Sequence, residues 1–163
     1  MTREEFKNTF DHHFDSVRNY IYYRSGDKEL ASDIAQETFM RYWERMSGKA
    51  EGNGNIKGLL YKIAGDIFIS SYRKRKTTRK YTVLMNKEEF SHSPEEQLTY
   101  KELTISYENA LANLPEKQRA VFLLNRMEGL KYHEIALNLG LSIKAVEKRM
   151  KNALEFLKKS IEF

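Results

Sequence analysis

Residues Pro115 to Leu157 read PEKQRAVFLLNRMEGLKYHEIALNLGLSIKAVEKRMKNALEFL, and their spacing predicts three helices joined by two short turns. Pro115 suits a first helical position, where its missing N–H costs nothing. Val121, Leu124 and Met127 recur at helical spacing until Gly129 stops the run. Tyr132 to Leu139 is a short second helix with Ile135, Ala136 and Leu139 on one face. Gly140 supplies a turn that a residue with a Cβ would resist. Ser142 then caps the last helix, its hydroxyl taking an orphan backbone N–H. That helix carries an apolar stripe of Val146, Met150, Ala153, Leu157 and Ile161. Its other side carries Lys144, Lys148 and Lys151, with Arg149 and Asn152 beside them. A small residue at the crossing, a turn glycine four positions on and an N-cap fall in the register of a helix-turn-helix. The second helix of that motif enters the DNA major groove, where Lys, Arg and Asn meet phosphates and base edges. The competing reading is a plain helical hairpin with a solvated basic face.

Upstream of this stretch, Ser93-Pro94-Glu95-Glu96 announces another helix through a cap, a first-position proline and a capping box. Tyr100, Leu103, Tyr107, Ala110 and Leu114 give it an apolar side. Periodicity fades further upstream, and residues 81–92 read as a flexible linker between two small domains, 1–80 and 93–163. The expected architecture is all-α.

In the first domain, Phe6, Phe10, Phe14, Val17 and Ile21 mark the core side of a helix from about Glu4 to Tyr23. Asp27 caps a second helix, Lys28 to Met46, whose buried side holds Ala31, Ala35, Phe39, Tyr42 and Met46. Asp33, Gln36, Glu37 and Glu44 lie opposite, with Met40 among them and Trp43 at their border. Acidic, amide and large apolar groups on one face are what a protein partner uses; the plainer reading has Trp43 closing the core edge. A third helix begins near Ile56, with Ile56, Leu60, Ile63 and Ile67 inward. Tyr61, Phe68 and Tyr72 recur elsewhere on it, before the cations Arg73, Lys74, Arg75 and Lys76. Exposed rings beside dense positive charge suit single-stranded nucleic acid, where bases stack and cations follow the backbone. A core-facing set of rings followed by a solvated charge run fits the pattern equally.

The chain of 163 residues has a net charge of +5 and no cysteine. The missing thiols exclude disulfides, thiol catalysis and Cys-based zinc sites. The polar start and the lack of a long apolar run predict a cytoplasmic protein without membrane insertion. His12 and His13 are neighbours that diverge on a helix, His92 and His133 are isolated, and no acidic pair has metal-ligand spacing. No cofactor, metal or catalytic residue is expected. An enzyme acting on RNA would need such a cluster.

Both halves together resemble the sigma-70 family of bacterial RNA polymerase initiation factors, nearest its extracytoplasmic-function group. LPEKQR, the EG turn, EIA, the GLS turn and Val146 resemble region 4; DIAQETFMRYW and LLYKIAGDIFISSYRKRK resemble two helices of region 2. The resemblance implies a sigma factor that binds core RNA polymerase and promoter DNA and directs initiation, with an anti-sigma factor as a further partner. It matches Asp33, Gln36, Glu37, Phe39 and Trp43 to the polymerase clamp. It matches Tyr61, Asp66, Phe68, Ser70 and Tyr72 to the melted −10 strand, with Arg73, Lys74, Arg75 and Lys76 on phosphates. Lys144, Ala145, Lys148, Arg149 and Lys151 match −35 readers, beside Ser142 and Asn152. An autonomous helix-turn-helix regulator, binding operators without polymerase, is the alternative.

Overall fold

A computed structural model describes residues 1–49, 54–75 and 105–161, with the side chains of 72–75 left out. The described residues form helices and turns, without a strand. They run as α1 (Arg3–Ser25), α2 (Lys28–Met46), α3 (Ile56–Arg75), α4 (described over 105–113), α5 (Glu116–Phe122), α6 (Tyr132–Leu139) and α7 (Ile143–Ile161). The predicted linker and the Ser93 capping box lie outside the described residues.

Local chemistry sets the helix ends. The Thr2 hydroxyl accepts from Glu5 N at 3.2 Å, and the Glu5 carboxylate accepts from Thr2 N at 2.6 Å, a reciprocal cap on α1. Gly26 ends α1 in the left-handed region, at φ 71°. Asp27 Oδ1 then accepts from Leu30 N at 3.1 Å and starts α2, as the sequence predicts.

The first three helices pack as a bundle. Val17, Tyr20 and Ile21 from α1 meet Ala31, Ile34, Ala35, Phe39 and Tyr42 from α2 and Leu60, Ile63, Ala64 and Ile67 from α3. Phe6, Phe10 and Phe14 are only partly buried, and their rings pack along Phe39 at centroid distances of 6.4, 5.0 and 5.9 Å.

In the C-terminal half α5 does not continue as one regular helix through Met127. Residues Leu123–Met127 form a π-helical turn, and Glu128 N donates to Leu123 O at 3.2 Å, five residues back. The wider turn changes the buried face. Leu123 and Leu124 are both buried, whereas Met127, expected inside from its α-spacing, is 42% exposed. Further on, Val146, Met150, Ala153 and Leu157 are buried as predicted, but Ile161, at the end of α7, is exposed among the described residues.

The two halves touch. α6 packs on α3, and α5 reaches α1. Arg119 is buried and donates to three carbonyls: Arg24 O (2.8 Å) from the first half, and Ala112 O (2.9 Å) and Leu114 O (2.8 Å) from its own. A buried carbonyl without a donor costs on the order of 1–3 kcal/mol. Arg119→Met keeps much of the volume and removes every donor. It is expected to lower unfolding stability by about 3 kcal/mol in urea denaturation followed by circular dichroism.

Candidate functional site

The residues expected to read DNA lie along the outside of α7 and its edges. Ser142 Oγ accepts from Ala145 N at 3.1 Å and so fixes the first turn. Gly140, at φ 67°, turns the chain into it. Lys144, Lys148 and Lys151 are exposed along one face, while Ala145, Arg149 and Asn152 are half-buried at its edges. Val146, Met150 and Ala153 lie inward, one helical face away. The stripe anchors the helix against α5 and α6 and leaves the cations free to meet an anion. Glu147 is also exposed and lowers the local charge.

The second surface lies on α2. Asp33 and Gln36 are exposed, and Met40 is 63% exposed. Spacings of three, four and three residues put these side chains and Trp43 on one helical face. Trp43 is half-buried, its ring 5.1 Å from Phe6 at 68°, so it closes the core edge and still shows an edge to solvent. Glu37 is half-buried and pairs with Arg41 one turn on. Phe39 does not belong to this surface. It is 2% exposed and carries the Phe6–Phe10–Phe14 row, so its contribution here is to hold the helix in place.

On α3 the picture departs from the expected row of exposed rings. Tyr61 is fully buried and Phe68 is 2% exposed, so neither is open to stacking in this conformation. The core-facing reading of these rings is the correct one. Tyr61 packs edge-on against Tyr20 at 5.2 Å and donates to the Glu128 carboxylate; Phe68 lies 4.6 Å under the Arg24 guanidinium. Asp66 and Ser70 are exposed one turn apart, with Ile69 beside them. Lys62 donates to Asp66 at 3.0 Å, a partner the sequence reading missed although its spacing of four residues announces it. The side chains of Tyr72, Arg73, Lys74 and Arg75, and all of Lys76, lie outside the described residues.

No spacing rule pointed to the polar cluster between the halves. Arg24 is 4% exposed; its Nε donates to Glu116 at 2.9 Å and its Nη1 to Tyr20 at 2.9 Å. Asn138 Nδ2 donates to Gly58 O at 3.2 Å, and Asn55 Nδ2 to Glu134 at 3.1 Å. Burial pushes the Glu128 carboxyl above its ordinary value of 4.5, against the lowering effect of the Tyr61 hydroxyl. Burial, then the hydrogen bond to Glu128, raises Tyr61 far above the usual tyrosine range. Among the described residues no three His, Asp or Glu side chains gather as a metal site, and no helix is long and apolar enough to cross a membrane.

A raised carboxyl favours the folded state most at low pH, and that contribution is lost as pH climbs from the unfolded value through the folded one. Glu128→Gln cannot ionise, and its amide oxygen can still accept from Tyr61. Above pH 4.5 the variant is expected to gain stability relative to the parent chain as pH rises. Urea denaturation at a series of pH values checks this, and parallel curves would contradict it.

Comparison with known proteins covers both halves. Sigma-70 region 2 matches residues 9–78, and Sigma-70 region 4 matches residues 105–157. The chain is 28% identical to RNA polymerase sigma factor YlaC of Bacillus subtilis, over 98% of this chain and 93% of that protein. It is also 28% identical to the ferric citrate uptake sigma factor FecI of Escherichia coli, over 92% and 87%. Its fold matches the sigma factor RpoE, solved in complex with the anti-sigma factor NepR from Bartonella quintana, with a TM-score of 0.78. That match covers 97% of each chain at 21% identity.

Proposed function

This chain belongs to the sigma-70 family, in its extracytoplasmic-function group, and from that premise we propose how its surfaces divide the work of starting transcription. Residues 1–80 and 93–163 act as two modules on the tether 81–92. The α2 face of Asp33, Gln36, Met40 and Trp43 docks on core RNA polymerase, with Glu37 at its edge. α7 enters the major groove of the −35 element. Lys144, Lys148 and Lys151 meet phosphates, and Arg149 and Asn152 stand where base edges are read. The outer face of α3, with Asp66 and Ser70, leads to the cations Arg73, Lys74, Arg75 and Lys76 and takes the opened −10 strand. Opening the strands costs stacking energy, which phosphate contacts and base capture at two tethered sites offset. The polymerase supplies the chemistry. An anti-sigma factor, of the kind seen with RpoE, is the regulator this reading expects, and the cytoplasm is where the work takes place.

The observation that carries the reading is the exposure of Lys144, Lys148 and Lys151 beside a buried Val146–Met150–Ala153 stripe, in one chain with an exposed acidic-apolar face on α2. An autonomous operator-binding regulator would leave that α2 face without a use.

Two measurements test the division. Gln36→Ala with Trp43→Ala is expected to cut run-off transcripts by tenfold or more when core polymerase and a pool of genomic upstream fragments are supplied. Equal transcripts would remove the docking assignment. Lys148→Ala is expected to weaken holoenzyme binding across promoters and to lower the slope of log affinity against log salt by about one. An unchanged slope would take Lys148 off the DNA.

A further inference from the structure

We propose that one edge of α7, made by Ile143 and Glu147, selects the base sequence that this helix prefers. The Glu147 carboxylate accepts from the N4 amino group of a cytosine, and Ile143 packs on the C5-methyl group of a neighbouring thymine. The proposal deepens the reading of α7 given above and rests on it.

These two residues are the ones that a purely cationic helix face leaves without a use. From Ser142 to Leu154 the chain carries Lys144, Lys148, Arg149 and Lys151, and Glu147 is the only acid of that stretch. Glu147 is exposed, with Lys144 three residues before it and Lys151 four after it. A glutamate four residues ahead of a lysine is the favourable order for a helical ion pair. Pairs at that spacing close elsewhere, Lys62 on Asp66 at 3.0 Å and Arg41 on Glu37. Among the described residues, no ion pair or side-chain hydrogen bond engages the Glu147 carboxylate. Ile143 opens α7 and is 49% exposed, one turn before Glu147 on the same side.

The chemistry of the groove gives both a partner. An acid on a surface that approaches phosphates costs affinity, because like charges are brought together. A donor on a base edge offsets that cost, and the major groove offers two such donors, N4 of cytosine and N6 of adenine. Adenine N6 stands between two acceptors, its own N7 and O4 of the paired thymine, and both repel a carboxylate. Cytosine N4 has an acceptor on one side, O6 of the paired guanine, and a C5–H on the other, so cytosine is the better partner. Thymine alone shows a methyl group in that groove, which a large aliphatic side chain can cover. Residues four apart on a helix lie about 6 Å from each other, and stacked bases ~3.4 Å, so the two side chains reach neighbouring pairs.

The position on the helix agrees. The second helix of a helix-turn-helix reads base edges with its N-terminal residues, where Ile143 and Glu147 lie. Ser142 holds this turn: its Oγ accepts from Ala145 N and its carbonyl from Val146 N, each at 3.1 Å. Val146, next to Glu147, is fully buried and sets the direction in which Glu147 leaves the helix.

The full chain with core RNA polymerase, selecting from a library of random duplexes whose bound fragments are sequenced, tests the assignment. The parent is expected to enrich cytosine at one position of the upstream element by roughly tenfold over each other base, beside a favoured thymine. Glu147→Gln should cut that preference to about threefold or less and raise adenine there, since an amide pairs with adenine N6 and N7. Ile143→Ala should weaken the thymine preference alone. Glu155→Gln removes the same charge from an exposed position about two turns on and should leave the cytosine preference intact. A cytosine preference unchanged by Glu147→Gln, or lost equally in Glu155→Gln, would overturn the proposal. An upstream element enriched without cytosine would overturn it too, and would leave the sigma-factor reading standing. A parent that enriches no element with polymerase would remove that reading and this proposal together.

Discussion

Arg24 lies where α1 ends and both halves of the chain converge. It is nearly fully buried, and a bare guanidinium there would be costly. Its neighbours answer that cost from several elements: Tyr20 from its own helix, Glu116 from α5, and the face of Phe68 from α3. Arg119 closes the arrangement by donating to the Arg24 carbonyl, so its guanidinium fixes the backbone where α1 ends. The placement of α5, and with it α6 and α7, relative to the N-terminal bundle follows from this junction. The guanidinium lies above its ordinary value despite burial because Tyr20 and Glu116 favour its charge, so it stays a cation throughout the working pH range.

The exposed surfaces are consequences of how each helix buries its opposite side. α7 shows three lysines because its Val146–Met150–Ala153–Leu157 stripe is taken up by the C-terminal core. α2 shows Asp33, Gln36 and Met40 because Ala31, Ala35, Phe39 and Tyr42 fill the bundle. A methionine 63% exposed on a polar ridge is a cost to a solitary protein and an asset to one that docks. Function in this family resides in surfaces that meet other macromolecules, so the cores matter chiefly for aiming them.

The π-helical turn at Leu123–Met127 links fold to function within the C-terminal half. An extra residue in the turn displaces the register that a regular helix would keep. Glu128 then sits where its carboxylate can accept from Tyr61 across the junction. Gly129, at φ 71°, reverses the chain immediately afterwards, a conformation that a side chain would resist.

The sequence alone determined the all-α class, the helix ends at Asp27, Gly140 and Ser142, the buried side of α7 and the exposed side of α2. These are local properties: side-chain periodicity and capping chemistry act within a few residues, so they can be read without knowing what lies across the core. Tertiary structure decided the rest. Tyr61 and Phe68 carry the same periodicity whether they face water or a second layer, and only the arrival of Glu128 and Arg24 settles that they are inside. Met127 fits an α-stripe until a π turn rotates it out, and Phe39 matches a docking position until three phenylalanines cover it. Arg24–Glu116 and Tyr61–Glu128 join residues far apart along the chain, a pairing no periodicity encodes because burial and partnership there depend on how two separately folded surfaces meet.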